Sequence, residues 1–200
     1  MAKSWLIGID EAGRGPFAGP VTLAVFVAPR RNAARFFHGI RDSKKLTPIA
    51  REKWFRSFKQ NPTVFFRSTS VGARLIDRAG IMSAIRAGVS RLLHSAAKKH
   101  ESLRDGSHEM ILLDGSLSAP AQFAQKTIIK GDEKIPVIAA ASIVAKVRRD
   151  RYMVRLARKF PQYGFEIHKG YGTKMHRDRI REHGLSEVHR ASFCAKYATI

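Results

Sequence analysis

Two apolar segments near the start of the chain, separated by a loop rich in glycine and proline, constrain the fold more than any other feature. Residues 5–10 and 21–28 are short and apolar, as buried strands are, and the second segment is rich in valine. The loop between them contains Gly13, Gly15 and Gly19 together with two prolines. The sequence therefore predicts a hairpin with an unusually elaborate turn.

Further along the chain, strand-like and helix-like patterns are mixed. Consecutive strands come first and strand–helix alternation follows, which favours an α/β fold with a mixed sheet. We expect one domain over residues 1–200, with a short helical segment from about residue 161. Further strands are predicted at 63–71, 110–113 and 127–129, and helices at 47–59, 80–100 and 136–160.

The charge of the chain restricts its function. Thirty-seven Lys and Arg oppose sixteen Asp and Glu, which gives a formal net charge of +21 and a pI near 11.0. An excess of this size attracts polyanions, with nucleic acid as the first candidate and an anionic membrane as the second. Membrane-surface proteins usually gather their basic residues on one amphipathic helix, whereas here they are spread along the chain. We therefore expect a nucleic-acid partner and no membrane association.

The cysteine count and the N-terminal sequence indicate a cytoplasmic protein. Cys194 is the only cysteine, which excludes an intrachain disulfide and a thiolate zinc site. The apolar run at residues 5–9 stops at Asp10 and Glu11, so no signal peptide is predicted. No apolar run approaches the ~20 residues that span a bilayer. We expect a monomer, and the sequence leaves open whether a protein partner such as a sliding clamp binds.

Acidic residues are few, and those at the ends of apolar strands stand out. Asp10, Glu11 and Asp114 lie at or just past such ends, and Asp132 follows another short apolar run. Gathered carboxylates repel one another unless a cation holds them, and oxygen ligands without thiolates favour Mg²⁺ or Mn²⁺. Two such ions about 4 Å apart could activate water at a phosphodiester. The structural alternative is an Asp that accepts backbone hydrogen bonds in a turn.

Glu11 presents a geometric difficulty. Adjacent residues in a regular strand point to opposite faces, so Asp10 and Glu11 cannot both reach one ion unless the strand has ended. Either the chain bends at Glu11, or its backbone carbonyl takes part. The loop directly after it is consistent with a bend.

The glycine-containing loop does not match a nucleotide-binding motif. The spacing of Gly13, Gly15 and Gly19 is not GxGxxG, a second strand follows instead of a helix, and no Gly-Lys-Ser/Thr is present. Glycine lets a backbone come close to a ligand. Beside a metal site in a basic protein, that ligand would be a sugar or a phosphate; the alternative is a simple tight turn.

Seven segments, in order over nearly the whole chain, resemble bacterial ribonuclease HII, the type 2 ribonuclease H family. The first and fifth are specific, and so many in order make a chance match untenable. They are residues 8–16 (GIDEAGRGP), 42–46 (DSKKL), 113–115 (LDG), 130–132 (KGD), 139–147 (AAASIVAKV) with Arg149 and Asp150, 168–173 (HKGYGT) and 189–193 (HRASF).

The resemblance implies a ribonuclease H-like fold with a central mixed sheet flanked by helices. It implies an endoribonuclease that cuts 5′ to ribonucleotides, in RNA–DNA hybrids and in duplex DNA with embedded ribonucleotides, and leaves 3′-OH and 5′-phosphate ends. The metal-binding catalytic carboxylates would be Asp10, Glu11, Asp114 and Asp132, with two Mg²⁺ or Mn²⁺ ions when substrate is bound.

The resemblance also implies a set of substrate-binding residues. The backbone of Gly13, Arg14 and Gly15 would read the ribose 2′-OH, which distinguishes RNA from DNA. Tyr171 would pack against the neighbouring deoxyribose. The residues that would contact phosphate are Lys44, Lys146 and Lys169. Four histidines in the C-terminal part of the chain lack zinc-ligand spacing, and we expect them to be solvated or to face phosphate. They are His168, His176, His183 and His189.

Two other functions are compatible with parts of the sequence. A non-catalytic basic protein that binds structured RNA or duplex nucleic acid would account for the charge, but not for the acidic strand ends. A different nuclease or integrase on the same fold would share the carboxylates, but it would have no use for a loop that reads a 2′-OH.

Overall fold

The fold is built on one mixed sheet, seen in a computed structural model that describes residues 4–40, 45–104 and 109–197. The strand order is β3-β2-β1-β4-β5. The pairs β1–β2 and β2–β3 are antiparallel, while β1–β4 and β4–β5 are parallel, so the predicted hairpin and mixed sheet are confirmed. The strands are β1 (Trp5–Ala12), β2 (Val21–Pro29), β3 (Phe65–Val71), β4 (Ile111–Asp114) and β5 (Gln125–Ile128).

Helices cover both faces of this sheet. Those in the described ranges are α1 (Ala33–Phe36), α2 (Pro48–Gln60), α3 (Ala73–Ala79), α4 (Ile81–Ala97), α5 (Gly131–Lys134), α6 (Pro136–Ala157), α7 (Phe165–His168), α8 (Lys174–His183) and α9 (Ala191–Cys194). Single 3₁₀ turns lie at Arg30–Asn32, Glu101–Leu103 and Pro161–Tyr163.

The predicted helices form where their end signals lie. The Thr47 hydroxyl accepts a hydrogen bond from the Ala50 amide at 3.2 Å, and Pro48 follows in the first turn, so α2 begins as expected. Gly80, at φ +77°, separates α4 from α3, a helix that the sequence pattern did not predict. In the described part of the chain, no helix combines the length and apolarity needed to cross a membrane.

Two apolar cores lie on opposite faces of the sheet. On one face, α4 packs against β2 and β3 with Val89, Leu92 and Leu93 in the shared core. On the other, α6 and α2 pack against the alternate residues of β2, including Phe26. Because β2 is covered on both faces, its sequence is apolar apart from Thr22 and does not alternate.

The start of α6 lies very close to β1. A Cβ at Gly8 would lie 2.5 Å from the Val137 carbonyl oxygen, and the obstacle is backbone, which cannot move aside. The first turns of α6 are small and buried, with Ala140 and Ala141 fully covered. This approach places α6 directly against the strand that carries Asp10.

Candidate metal centre and nucleic-acid interface

Three carboxylates meet at one edge of the sheet. Asp10 lies near the end of β1, Asp114 is the last residue of the parallel neighbour β4, and Asp132 lies on the one-turn helix α5. One oxygen atom from each carboxylate lies within 4.8 Å of the other two. Asp10 and Asp132 are buried and Asp114 is half-buried. The structure thus brings together three of the four acidic residues singled out in the sequence.

The Asp114 carboxylate holds the segment that carries Asp132. Its Oδ1 accepts hydrogen bonds from the amides of Gly131 at 2.6 Å and Asp132 at 3.2 Å. A Cβ at Gly131 would lie 2.6 Å from Ile138 Cδ1 and 3.2 Å from Asp114 Oδ1. The Lys130-Gly131-Asp132 segment is therefore fitted to both β4 and α6.

Burial and repulsion make this cluster costly without a cation. Burial raises the pKa of Asp10 well above its ordinary value, and the negative charges of Glu11 and Asp114 raise it further. Hydrogen bonds from the Ser142 side chain and from the Glu11 amide, at 2.6 Å, act in the opposite direction. A bound cation would remove the repulsion. Since every donor is a carboxylate oxygen, the site fits a hard divalent ion.

Glu11 stands apart from the three. Regular pairing continues through Ala12, with Glu11 opposite Leu23. Of the two possibilities for Glu11, the bend is therefore wrong, and participation of its backbone carbonyl stays a prediction. Its Oε1 lies 3.4 Å from Arg14 Nε. Burial raises the pKa of Glu11, the Arg14 charge lowers it, and the Asp114 charge raises it. The Glu11 side chain is therefore close enough to interact electrostatically with the cluster of three carboxylates, but it does not belong to that cluster.

Arg190 bridges the two ends of the glycine loop, which we define as residues 13–20. Its side chain is fully buried. It donates to the carbonyl oxygens of Gly13 at 2.7 Å, Arg14 at 2.8 Å and Gly19 at 3.0 Å. One guanidinium thus satisfies three backbone acceptors at both ends of the loop.

Arg149 holds the second part of the glycine loop. Also fully buried, it donates to the carbonyl oxygens of Pro20 at 3.0 Å, Ala18 at 3.3 Å and Lys169 at 2.9 Å. A Cβ at Gly13, where φ is +91°, would lie only 1.9 Å from Arg149 Nε. Glycine at this position is therefore required by both the backbone angle and the buried arginine.

The outer side of the glycine loop is open. Gly15 is exposed, and a Cβ there would meet no atom within 4 Å. The Arg14 side chain is partly exposed and donates to Ser116 Oγ at 3.0 Å, which links the loop to the turn after Asp114. The backbone around Gly15 is thus accessible beside the carboxylates.

Tyr171 lies on a segment bonded directly to the glycine loop. The amides of Phe17 and Ala18 both donate to the Gly170 carbonyl, at 2.8 and 3.3 Å. Tyr171 is 42% exposed. Lys146 Nζ and the guanidinium carbon of Arg149 lie 5.7 and 5.6 Å from its centroid. An exposed ring with cations beside it is suited to a sugar–phosphate chain.

The three lysines expected to contact phosphate differ in their surroundings. Lys146 lies beside Tyr171, and its Nζ is 2.9 Å from Asp150 Oδ1. Lys169 has a left-handed backbone, at φ +53°, and its ammonium donates to the Glu166 carbonyl. Lys44 lies outside the described residues.

Three of the four C-terminal histidines are buried, so their expected solvated or phosphate-facing role is wrong. His183 alone is exposed. His176 Nδ1 donates to the Tyr171 carbonyl at 2.9 Å, and its Nε2 pairs with His189 Nε2 at 3.1 Å. His168 Nδ1 accepts from the Gly170 amide at 3.1 Å. The imidazoles therefore support the backbone on both sides of Tyr171.

Burial keeps these imidazoles neutral. It lowers the pKa of His168, and it lowers the pKa of His176 and of His189 to about 4. His189 Nδ1 accepts from the Ser186 amide at 3.0 Å, which leaves Nε2 as the donor to His176. The partners thus define one consistent set of neutral tautomers.

Sequence reasoning missed the supporting residues of the site. Arg149 lies in a basic run on α6, and composition does not show that one of its arginines points inwards. Arg190 and the buried histidines lie in a polar segment that reads as surface. The available signal was their place in the segments 139–150, 168–173 and 189–193, which resemble the type 2 ribonucleases H.

Comparison with known proteins matches this geometry to one family. Residues 7–196 match the family model described as Ribonuclease HII. A ribonuclease HII from Caldicellulosiruptor bescii is 42% identical over 189 residues, which cover 94% of this chain and 86% of the relative. Another from Chlamydia pneumoniae is 40% identical over 190 residues, which cover 95% of this chain and 83% of the relative.

Solved structures agree with the sequence matches. The crystal structure of the ribonuclease H2 from Pyrococcus horikoshii has a TM-score of 0.69 and 26% identity to this chain, and the match covers 97% of each. The expected ribonuclease H-like fold is therefore confirmed. Together, the matched residues and the shared fold show that this chain belongs to the ribonuclease HII family of metal-dependent endoribonucleases.

Proposed function

We propose that this protein hydrolyses the phosphodiester on the 5′ side of a ribonucleotide, both in duplex DNA with embedded ribonucleotides and in RNA–DNA hybrids. The products would carry 3′-OH and 5′-phosphate ends. The observation that carries the proposal is the meeting of Asp10, Asp114 and Asp132 within 4.8 Å beside an open glycine loop.

The carboxylates would hold the metal ions. Asp10, Asp114 and Asp132 would be direct ligands, and Glu11 would complete the site from its position next to Asp10. Two divalent ions, Mg²⁺ or Mn²⁺, would supply the Lewis acidity that activates water and stabilises the leaving oxygen. Asp114 has a second task, because its hydrogen bonds to the amides of Gly131 and Asp132 fix the position of the third ligand.

The glycine loop would recognise the ribose. Arg190 occupies the carbonyls of Gly13 and Arg14 from the buried side, which leaves the exposed backbone around Gly15 to meet a 2′-OH. A hydroxyl both donates and accepts hydrogen bonds, and a deoxyribose lacks it. The loop would therefore select the nucleotide at which the strand is cut.

Tyr171 and the lysines would bind the strand next to that nucleotide. The exposed Tyr171 ring would pack against the neighbouring deoxyribose and favour an RNA-to-DNA junction. Lys146 lies beside that ring and would contact phosphate. Lys44 and Lys169 would be further phosphate contacts on the grounds of family resemblance.

The cluster of three carboxylates argues against a non-catalytic binding protein. A protein that only binds phosphate gains nothing from three acidic groups gathered at its interface, because they would repel the ligand. Burial of Asp10 and repulsion from its acidic neighbours, which together raise its pKa, would then destabilise the fold without serving any function.

A cleavage assay tests the proposal. A labelled duplex with one embedded ribonucleotide is incubated with Mg²⁺ or Mn²⁺, with EDTA, and beside an all-DNA duplex of the same sequence. We expect one nick 5′ to the ribonucleotide, only with the metal, and no cut in the all-DNA duplex. Asp10→Asn should lower the rate by about 1000-fold or more, since loss of a metal ligand removes electrostatic stabilisation.

Asp178→Asn is the matched control. Asp178 lies on α8, where it pairs with Lys174 and Arg181 on the surface. The control should cut at the wild-type rate. Equal rates for Asp10→Asn and the wild type would show that the carboxylates are wrongly assigned. If the all-DNA duplex were cut as fast as the duplex with the ribonucleotide, the assignment of the glycine loop as the ribose-reading element would be wrong.

A further inference from the structure

A basic groove lies along the edge of the sheet, outside the carboxylate site. It is a concavity of about 620 Å³ between β3 and α4, and we call it the edge groove. Within the described residues no acidic side chain lines it. Its charged or titratable lining residues are Arg67, Arg91, His94, Lys98 and Lys99.

The local structure explains why these side chains share one surface. Arg91 and His94 on α4 and Lys98 at its C-terminal cap follow helical spacing and lie opposite the buried Leu92, Leu93 and Ala96. Arg67 is exposed on β3, the outermost strand on this side of the sheet. In the part of the chain that the structure describes, none of these Arg and Lys residues forms an ion pair with a carboxylate. Arg67, Arg91, Lys98 and Lys99 are all exposed.

The edge groove continues towards the glycine loop. Arg91 also lines a second concavity of about 410 Å³, which extends to Gly19 and Pro20. On β3, Val71 pairs with Val21 next to the loop, and Arg67 pairs with Val25 further along. Four residues of strand span about 13 Å. The second concavity also contains Arg74, which pairs with Glu187 at 3.5 Å, so Arg91 is the cation that joins the edge groove to the end of the glycine loop.

A duplex backbone fits the edge groove better than other polyanions do. Duplex DNA carries one negative charge per ~1.7 Å of its axis, so neighbouring phosphates can meet several of these cations at once. A membrane-binding surface would need exposed apolar side chains to insert, whereas Ala87 is the only hydrophobic residue among those lining the groove.

We propose that the edge groove binds the phosphate backbone of the duplex arm that extends away from the cut nucleotide. The inference rests on the proposed function, because it assumes that the substrate is a duplex held at the carboxylate site. The groove would add affinity and register along the duplex without touching the reacting atoms.

Paired variants test the proposal. Arg91→Ala/Lys98→Ala removes two charges from the edge groove, and Arg56→Ala/Lys59→Ala removes two from the exposed side of α2, on the opposite face of the sheet. Alanine preserves both helices, and circular dichroism checks the fold. Equilibrium binding is measured in EDTA over a range of salt concentrations, on duplexes with one embedded ribonucleotide and arms of about 6 or about 30 base pairs, which span roughly 20 or 100 Å.

For the long-arm duplex, the groove variant should reduce the slope of log K against log salt by about 2, because each cation that pairs with a phosphate contributes about 1 to that slope. The control variant should not show this change, and the short-arm duplex should show a smaller one. With metal added, the groove variant should raise KM on the long-arm duplex and leave kcat unchanged. Equal slopes for the groove variant and the control variant would overturn the proposal.

The two proposals can fail separately. Binding in EDTA does not require cleavage, so a changed slope with no cutting of any duplex would support the groove and remove the proposed function. Normal cutting with an unchanged slope would support the function and remove the groove.

Discussion

Gly13 illustrates how a single residue can serve both backbone geometry and packing. Its φ of +91° is a region that side-chain-bearing residues rarely adopt, and its missing Cβ leaves space for the Arg149 guanidinium. Arg149 in turn binds carbonyls of the glycine loop and of Lys169. The conformation of the glycine loop therefore depends on residue 13 having no Cβ.

Gly13→Ala should lower cleavage of the embedded-ribonucleotide duplex by about 100-fold, because displacement of groups at the site by about 1 Å is enough for such a loss. The added Cβ would lie 1.9 Å from Arg149 Nε, so the arginine must move away from the loop. Single-turnover kinetics measure the loss. Gly39→Ala is the control, since Gly39 has a similar φ of +78° but open space around it. A similar loss in both variants would mean that backbone strain, and not Arg149, is responsible.

At this scale the sequence predicted the acidic residues and missed what supports them. Asp10, Asp114 and Asp132 could be found because a carboxylate after an apolar run is unusual in a chain with so few acids. Arg149 and Arg190 could not, because their burial depends on carbonyls distant in sequence that meet only in the folded protein. The bend considered at Glu11 is absent for the same reason, since pairing with β2 extends the strand beyond it.

At the scale of elements, the short C-terminal helices depend on neutral histidines. His176 on α8 bonds the backbone at Tyr171 and also His189, while His168 on α7 bonds the Gly170 amide. A proton on His176 would place a donor against a donor at its 3.1 Å contact with His189, and a proton on His189 would do the same at the Ser186 amide, 3.0 Å from its Nδ1. The order of this segment is therefore linked to pH.

Stability should fall as the pH is lowered from 7 to 4. Burial lowers the pKa of both His176 and His189 to about 4 from 6.5, so between these values the unfolded chain binds more protons than the folded one. The free energy of unfolding therefore decreases as the pH falls through this window, by at most about 3 kcal/mol for each histidine. Urea titrations at several pH values measure this.

His189→Gln should flatten this pH dependence by about one proton, since glutamine does not titrate. His38→Gln, at an exposed position, should leave it unchanged. If the curves of wild type and His189→Gln run parallel between pH 7 and 4, the acid sensitivity arises elsewhere.

At the scale of the whole molecule, a strongly basic protein contains a compact acidic group. The formal net charge of +21 favours polyanions, yet the carboxylates of Asp10, Asp114 and Asp132 face one another. A divalent ion that binds only the folded protein stabilises it by mass action. Metal binding should therefore be visible in the unfolding of the whole chain.

Mn²⁺ or Mg²⁺ at about 100 times its dissociation constant should stabilise the fold by about 2.7 kcal/mol. For a chain of this size, this raises the Tm by about 5–10 °C relative to EDTA. Asp114→Asn should lose the increase, although its amide oxygen can still accept from Gly131 and Asp132. Asp178→Asn should retain it. A metal-dependent increase of the same size in Asp114→Asn would place the ion elsewhere.

The architecture was more predictable than the site. The hairpin, the strand–helix alternation and α2 follow from local patterns such as the Thr47-Pro48 start, and the structure confirms them. The helix α3 was not foreseen, because the sequence pattern between β3 and Gly80 is short. Strand order and the distance between loops depend on long-range contacts that one sequence does not encode locally.

The hydrogen bonds from Phe17 and Ala18 to Gly170 have a consequence for recognition. They join the glycine loop to the Tyr171 segment during folding, before any nucleic acid arrives. Little conformational entropy then remains to be lost on binding, so more of the contact energy is available as affinity. A deoxyribose lacks the 2′-OH, and the preorganised backbone could not rearrange to compensate for its absence. The backbone polar groups that would bond the hydroxyl would then stay unpaired, which increases discrimination against the deoxyribose.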